Sequence, residues 1–550
     1  MLYASDFAAD HGQRNLRGGR TATDRPCGQW LGTTISRHLA SAIFSRRERP
    51  KNAPRSVRTP HGSGQVRPDQ TIPREYLAST HVVPNGSGRA EQSRECSSQA
   101  RKRDILQQLL SIVDGALWIG PMDGTKIAYV VGRRVWDSRG RPTVEAEVTL
   151  SSGAKGRAMA PAGASVGTGE ALDLRDGGER YGGADVTRAV GHVNGEIARA
   201  LEGREATDQA QVDECLVLLD GTPSKSRLGA NACIAVSVAC AKAAAVGTGQ
   251  PLYQYIGGSD ASTLPLPHIQ IFGGAAHGAP GLNIQDYMVV CPGARSFSEA
   301  IDWTAEIYRA GGTLMAQAGN ACGVTDGGGW WPRFNSNEHG LEVLVRAIEL
   351  AGLSPGKGVG ISIDVAASEF GHGGTYTVAP EGRRTDTEGM VKLLLRWVRR
   401  FPIMSIEDPL ADDDHPGFAA LTGRVGDRIQ IIADDLVTSD VGRMQEAALR
   451  GASNAVLLKP NQRGTLSEVL RTWNAARQAG FRGVIATRSG ETEDISIIDL
   501  AVGWGIGQIK MGGFSRGERT SKINQGLRIE SALGNRARFA NSSIIRGSVR

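Results

Sequence analysis

Six short apolar runs in the second half of the chain constrain its fold more than any other sequence feature. They read "ISIDVAASEF", "FPIMSIEDPL", "IQIIADDL", "AVLLKPNQ", "GVIATRSGETED" and "GQIKMGG". Each leads to a charged residue, and these residues are 22 to 43 positions apart: Asp364, Glu407, Asp434, Lys459, Arg488 and Lys510. Most of these intervals suit one strand and one helix. Such repeats predict a parallel sheet, and six or more in succession predict a (β/α)8-type barrel.

The charged residues that end these runs predict a chemistry. In such a barrel the carboxyl ends of the strands form one active face, so the six side chains should converge there. Three carboxylates with no His or Cys among them suit Mg²⁺. An arginine can grip a phosphate or carboxylate by two hydrogen bonds, and a lysine beside other cations has a lowered pKa and can remove a proton. The alternative, simple ion pairs at strand ends, explains any one of them but explains six in register poorly.

The segment from residue 122 to about 260 has a different pattern. It opens with "KIAYVVGRRVWDSRGRPTVEAEVTL", where β-branched and polar residues alternate around a turn, which predicts two strands. Helical patterns follow, and "GANACIAVSVACAKAAAVGTG" is apolar on nearly every face. We therefore predict a small α+β unit whose most apolar helix is buried.

The first 121 residues carry the positive charge of the chain. They hold 18 Lys and Arg against 10 Asp and Glu, whereas the remainder holds 45 against 47. Because they are rich in Arg, Ser, Gly and Pro and have little apolar periodicity, we predict a disordered basic extension over 1–121. A targeting or nucleic-acid-binding arm is the functional alternative, and sequence upstream of a start at Met122 is the other; the ten acidic residues disfavour a transit peptide.

Cysteine and apolar content bear on the compartment. The seven cysteines are odd in number and show no CxxC spacing, which disfavours both a disulfide framework and a thiolate metal site. No apolar run reaches the roughly 20 residues that cross a bilayer. We expect a cytoplasmic protein with no membrane span and no nucleic-acid partner.

Ordered sequence blocks from about Met122 to the C-terminus carry a family resemblance. They include "DSRGRPTVE", "AGASVGTGEALDLRDG", "SIEDPL", "LLKPNQRGTL", "RSGETED" and "GQIKMGGFSRGER". In these blocks the chain resembles the enolase family of phosphopyruvate hydratases. The resemblance implies a smaller N-terminal α+β domain over 122–260 and an enolase-type TIM-like (β/α)8 barrel over 261–550. It also implies a Mg²⁺-dependent glycolytic lyase that acts on a small phosphorylated acid, 2-phosphoglycerate, as a homodimer or higher homo-oligomer.

The resemblance also implies roles for particular residues. Lys459 matches the base that removes the C2 proton, and Lys510 matches a nearby residue that binds the substrate carboxylate and helps to lower the pKa of Lys459. The residues that match Mg²⁺ ligands are Asp364, Glu407, Asp434 and, in the mobile loop "AGASVGTGE", Ser165. The residues that match substrate contacts are His277, Gln285, Arg488, Ser489 and Lys510. Among these, Arg488 and Ser489 match the pair that binds the phosphate.

Three positions depart from the family pattern, all on the side that would help the C3 hydroxyl to leave. "VTDGGGWWP" has Gly327 where the family has an acidic glutamate. Asp286 replaces a glutamate in "IQDYM" and is assigned the acid role, and Thr487 replaces a histidine before Arg488. The tryptophans of the first of these motifs are predicted to anchor its loop by burying their rings.

These departures leave three functions open. The chain could be an enolase with impaired turnover, in which Asp286, a water or His277 assists the leaving hydroxyl. It could be an enolase-like paralogue that removes the α-proton of another acid substrate. The third alternative, a non-catalytic binding protein with the enolase fold, does not explain why Lys459 and Lys510 face three carboxylates.

Overall fold

The fold comes from a computed structural model that describes residues 124–164, 167–275, 282–379, 382–541 and 544–545. The predicted basic extension lies outside these residues, and so do two predicted site residues, Ser165 and His277. The remaining predicted site residues are all described.

The N-terminal part is built on a three-stranded antiparallel sheet. Its strands are β1 (Ile127–Trp136), β2 (Pro142–Leu150) and β3 (Lys155–Met159), in that order across the sheet. Gly140, with φ of 68°, lies in the turn between β1 and β2, where a left-handed backbone favours glycine. The helices that follow are Thr187–His192, Val193–Ile197 (a π-helical turn), Ala198–Leu201, Gln209–Asp220, Ala230–Gly247 and Leu252–Gly257.

The helix Ala230–Gly247 forms the core of this part and packs on β2 and β3. By length and composition this helix could cross a bilayer, which corrects the expectation that no apolar run is long enough. However, 83% of it is buried inside the protein, as in the core helix of a globular domain. Gly156 of β3 allows the close approach, because a Cβ there would lie 2.2 Å from the Ala239 carbonyl oxygen. The prediction that this helix is buried is confirmed.

The C-terminal part is a closed barrel of eight strands. They are β4 (Leu266–Gly273), β5 (Asp286–Val290), β6 (Gly360–Asp364), β7 (Ile403–Glu407), β8 (Gln430–Ala433), β9 (Ala455–Leu458), β10 (Arg482–Ala486) and β11 (Gln508–Gly512). Pairing of β11 with β4 closes the barrel. The helices around it are Phe297–Gln317, Asn337–Leu350, Thr387–Arg400, His415–Val425, Val441–Leu449, Leu466–Gln478, Ser496–Gly503 and Gly517–Leu533. The predicted order, a smaller domain and then a barrel, is confirmed.

One strand differs from the parallel arrangement that the spacing predicts. β5 pairs antiparallel with both β4 and β6. It follows β4 directly in the chain, and two helices then precede β6, so the strand and helix alternation starts only after β5. As a result the first residue of β5, Asp286, lies at the mouth where the other strands end.

A buried polar layer lies inside the barrel below that mouth. On three strands the residue of this layer precedes a charged residue of the mouth by two positions, so both side chains lie on the same face of the strand. Its members are His268, Ser362, Ser405, Gln430 and Gln508. His268 Nδ1 lies 3.0 Å from Ser362 Oγ, and its Nε2 lies 3.1 Å from Gln508 Oε1. Burial, with a further contribution from the Lys510 charge, lowers the pKa of His268 to about 4.

His268 should make the stability of the protein fall in acid. An unfolded histidine has a pKa of about 6.5, so between that value and about 4 the unfolded state binds more protons than the folded state. We expect the free energy of unfolding to fall by up to about 3 kcal/mol as the pH drops through this range, with no contribution above it. Urea unfolding of the wild type and His268→Gln at pH 7.5 and pH 4.5 measures this loss. Equal losses in the two proteins would contradict the prediction.

Candidate active site

Three carboxylates stand side by side at the mouth of the barrel. Asp286 of β5 is in register with Asp364 of β6, which in turn is in register with Glu407 of β7. Because paired strands lie about 4.8 Å apart, in-register residues present adjacent side chains. All three residues are buried. The antiparallel β5 therefore adds one carboxylate to the two that the apolar runs predict here.

Lys510 of β11 lies at the centre of this row. Its Nζ is 3.1 Å from Asp286 Oδ2, 2.6 Å from Asp364 Oδ2 and 2.9 Å from Glu407 Oε2. Burial alone would lower the pKa of Lys510, but the charges of Asp364 and Glu407 outweigh it and raise the pKa well above its ordinary value. Lys510 is therefore an ammonium held among three carboxylates.

Lys459 forms a second lysine–carboxylate pair. Its Nζ donates to Asp434 Oδ2, and Asp434 Oδ1 accepts from Gln462 at 3.1 Å. Burial lowers the pKa of Lys459, but the charges of Asp434, Glu407 and Glu170 together outweigh it, so the pKa lies above its ordinary value. The expectation of a lowered lysine pKa is thus wrong for the protein as described, because both lysines contact carboxylates rather than cations.

The donor set suits a divalent cation. Glu407 Oε1 is buried and has no hydrogen-bond partner in the described part of the chain. Burial and the neighbouring Asp364 charge raise the pKa of Glu407 well above its ordinary value. Such a carboxylate gains most from a hard cation, and Lys510 already takes a cation's place beside Asp364 and Glu407. The residues therefore fit Mg²⁺. Of the three predicted ligands, Asp364 and Glu407 contact Lys510, whereas Asp434 contacts Lys459.

A second acidic group lies next to this set. Asp408, Asp434 and Asp435 each bring one carboxylate oxygen within 4.8 Å of the others. Asp408, however, accepts from the backbone N–H groups of Asp434 and Asp435, both at 2.9 Å. Its carboxylate thus fixes the backbone at the end of β8 and orients Asp434 toward the mouth.

The predicted phosphate-binding pair contacts the glycine-rich loop. The Arg488 guanidinium is buried and lies 2.9 and 3.3 Å from the two carboxylate oxygens of Glu170. Ser489 Oγ accepts from the Ala164 backbone N–H at 2.6 Å. Glu170 and Ala164 belong to "AGASVGTGE", so these two described residues of the loop lie against Arg488 and Ser489. We did not expect Glu170 from sequence, although it is the only acid in that motif.

Removing the Glu170 charge should destabilise the fold, because the buried Arg488 then loses the carboxylate that it contacts through both oxygens. We expect Glu170→Gln to lower the free energy of unfolding by about 3 kcal/mol. Adding Arg488→Met in the same chain should recover most of this loss, since a buried pair can be replaced by apolar groups at little cost. Urea unfolding of the three proteins tests this, and a double variant no more stable than Glu170→Gln would contradict it.

All three departures from the family pattern line one cavity. It has a volume of about 70 Å³, and it is also bounded by Asp364, Lys459, Arg488, Ser489 and Lys510. Gln285, predicted to contact substrate, lines it too and donates to Asp364 Oδ2 at 2.9 Å. Most of the predicted residues that the structure describes thus line one small polar cavity. Glu407 and Asp434 do not line it, but they contact the cavity residues Lys510 and Lys459.

Arg519 is a buried residue of this site that sequence reasoning missed. It donates to the carbonyl oxygens of Arg488 and Ser489, both at 2.8 Å, and to Thr487 Oγ1 at 3.2 Å. It also donates to the Asp326 carbonyl oxygen at 3.0 Å. Arg519 therefore connects the predicted phosphate-binding pair to the loop that contains Gly327. It belongs to a helix, Gly517–Leu533, to which the sequence analysis assigns no role.

The tryptophan after the glycine run anchors its loop. The Trp330 ring stacks on Tyr308 with centroids 5.0 Å apart, and its indole N–H donates to the Tyr308 carbonyl oxygen at 2.9 Å. Trp330 is thus held by a neighbouring helix, which supports the anchoring role. Trp330 and Trp331 are both half-buried, however, so their rings are less buried than predicted.

Two family models match the chain. The model described as "Enolase, N-terminal domain" matches residues 127–256, and the model described as "Enolase, C-terminal TIM barrel domain" matches residues 261–547. The matches cover both structural parts described above and the whole of the site.

Proposed function

Because this chain belongs to the enolase family, we propose that it is a Mg²⁺-dependent lyase that interconverts 2-phosphoglycerate and phosphoenolpyruvate plus water. Membership itself makes it a lyase of the enolase superfamily. The observation that carries the finer proposal is the placing of Lys459 and Arg488 around one cavity with Asp364 and Lys510.

The proposed reaction assigns a task to each group. Lys459 takes the C2 proton after it has released its own, and a Mg²⁺ ion held by Asp434 would favour that release by offsetting the carboxylate charge that raises the pKa of Lys459. Arg488 and Ser489 hold the phosphate. The electrons of the C2–H bond first move onto the substrate carboxylate and then form the C2–C3 double bond as the C3–O bond breaks. The departing hydroxide takes a proton from a neighbouring water molecule and leaves as water. Bound Mg²⁺ would neutralise the negative charge that gathers on the substrate carboxylate. A lysine base with one or two Mg²⁺ ions is general in this superfamily and is not deduced from the geometry.

The side of the site that assists the leaving hydroxyl is weaker. Gly327 supplies no acid, and one oxygen of Asp286 is occupied by Lys510 Nζ at 3.1 Å. A general acid contributes about 10²–10⁴-fold to a rate. We therefore expect turnover that is reduced rather than abolished.

The same observation supports a second candidate. A site with its base, cations and carboxylates in place, but with no acid at position 327, suits an enolase-like paralogue that only removes the α-proton of another acid substrate. Both candidates share the first step, so one experiment separates them.

That experiment uses the full chain with Mg²⁺ and 2-phosphoglycerate in heavy water, followed by NMR. Phosphoenolpyruvate formation that stops on adding EDTA supports the proposal. Exchange of the C2 proton without product supports the paralogue. If folded protein that binds Mg²⁺ gives neither signal, both candidate functions are refuted.

The enolase resemblance supports two further proposals, that the protein is cytoplasmic and that it is a homodimer or higher homo-oligomer. Light scattering after size-exclusion chromatography would measure the mass of the assembly.

A further inference from the structure

Gln270, a buried residue of β4, fills the space beside the glycine run at the active mouth. A Cβ added at Gly327 would lie 2.4 Å from Gln270 Oε1, and one added at Gly329 would lie 2.8 Å from its Cγ. Both distances are shorter than van der Waals contact. The Gln270 side chain therefore fills the space that a Cβ at either glycine would need. At position 327 it occupies the place where a side chain would begin.

Hydrogen bonds fix the orientation of the Gln270 amide. Its Oε1 accepts from the Gly329 backbone N–H at 2.9 Å and from Thr325 Oγ1 at 3.2 Å. A backbone N–H can only donate, so the atom it meets is the oxygen and the amide nitrogen lies on the other side. That nitrogen donates to Asp286 Oδ1, and Asp286 Oδ2 lies 3.1 Å from Lys510 Nζ.

We infer that Gln270 is a positioning residue, which occupies the place of the absent side chain at position 327 and fixes the Asp286 carboxylate against Lys510. A chain of contacts runs from Gly329 through the Gln270 amide to Asp286 and then to Lys510. In this arrangement the two Asp286 oxygens contact the Gln270 amide nitrogen and Lys510 Nζ, so the carboxylate orients Lys510. The catalytic part of the inference rests on the proposed function; the spatial part does not.

The spatial part predicts a specific coupling between two positions. A side chain at position 327 should be tolerated only when residue 270 is short, because the φ of Gly327 is not in the left-handed region and Gln270 is its near neighbour. We expect Gly327→Ala to lower the midpoint of thermal unfolding by about 2 °C or more, and to lower it much less in a Gln270→Ser background. Gly423→Ala, at an open helical site with nothing within 4 Å, is the matched control and should show no coupling.

The catalytic part predicts the effect of placing an acid at position 270. Gln270→Glu is nearly isosteric, and its carboxyl would face Asp286, so the two groups must share a proton. We define the product ratio as the rate of phosphoenolpyruvate formation divided by the rate of C2 proton exchange. We expect Gln270→Glu to raise this ratio by about tenfold or more, and the ratio should fall again as the pH rises and the shared proton is lost. Gln270→Met keeps the volume without the proton and should not raise this ratio.

The outcomes separate the two proposals. Coupling between positions 270 and 327, together with a higher and pH-dependent product ratio in Gln270→Glu, supports the inference. No coupling, or the same product ratio in Gln270→Glu and Gln270→Met, overturns it. If no protein in the series exchanges the C2 proton, the proposed function fails, and the unfolding measurements still decide the spatial part.

Discussion

Lys459→Met is expected to lower exchange of the C2 proton of 2-phosphoglycerate by about 10³-fold or more, and to abolish measurable product. A general base contributes about 10²–10⁴-fold, and a methionine can neither accept the proton nor recruit a water to the same place as readily. Lys459 follows β9 directly and is only slightly exposed, so no flexible loop separates it from the cavity. The loss should appear in exchange and in product alike, because both require the first proton transfer.

The measurement is NMR in heavy water with Mg²⁺, and the matched control is Lys155→Met. Lys155 is an exposed lysine of β3 that pairs with Glu147 at 3.4 Å, so its loss should leave exchange unchanged. Circular dichroism should confirm that Lys459→Met is folded, since the change leaves the buried Asp434 without its lysine. Exchange at the wild-type rate in folded Lys459→Met would assign the base to another residue.

The apolar runs of the sequence were enough to place the charged residues of this site. In a parallel barrel the residue after each buried strand reaches the same mouth, so Glu407 and Lys459 could be assigned to it from spacing alone. The departure at Gly327 was also visible, because a missing side chain is read directly from the sequence.

The partners of those residues were not predictable in the same way. Period and burial fix where a side chain stands, but not which group it meets across the barrel. The antiparallel β5, which puts Asp286 in register with Asp364, leaves no mark in the spacing of later strands. Contacts such as Glu170 with Arg488 join residues more than 300 positions apart, and Gln270 lies in a run with no functional pattern.

Glu407→Gln is expected to remove most of the stabilisation that Mg²⁺ gives to the fold. A ligand that binds only the folded state raises the free energy of unfolding by about 2.7 kcal/mol at 100 times its Kd. In the wild type, Mg²⁺ would supply a partner for Glu407 Oε1, which is buried and has none among the described residues. A neutral amide at this position removes a charge that the cation needs, so Mg²⁺ should bind far more weakly.

Without Mg²⁺, the free energies of unfolding of the wild type and Glu407→Gln should differ much less. Burial already disfavours the Glu407 charge, and Lys510 keeps Asp286 and Asp364 as partners in the variant. Urea unfolding with Mg²⁺ and with EDTA gives the increment for each protein, and Glu446→Gln, an exposed glutamate, is the control. If Glu407→Gln keeps the wild-type Mg²⁺ increment, the cation binds elsewhere. The group of Asp408, Asp434 and Asp435 would then be the site to test, with Asp435→Asn as the next variant.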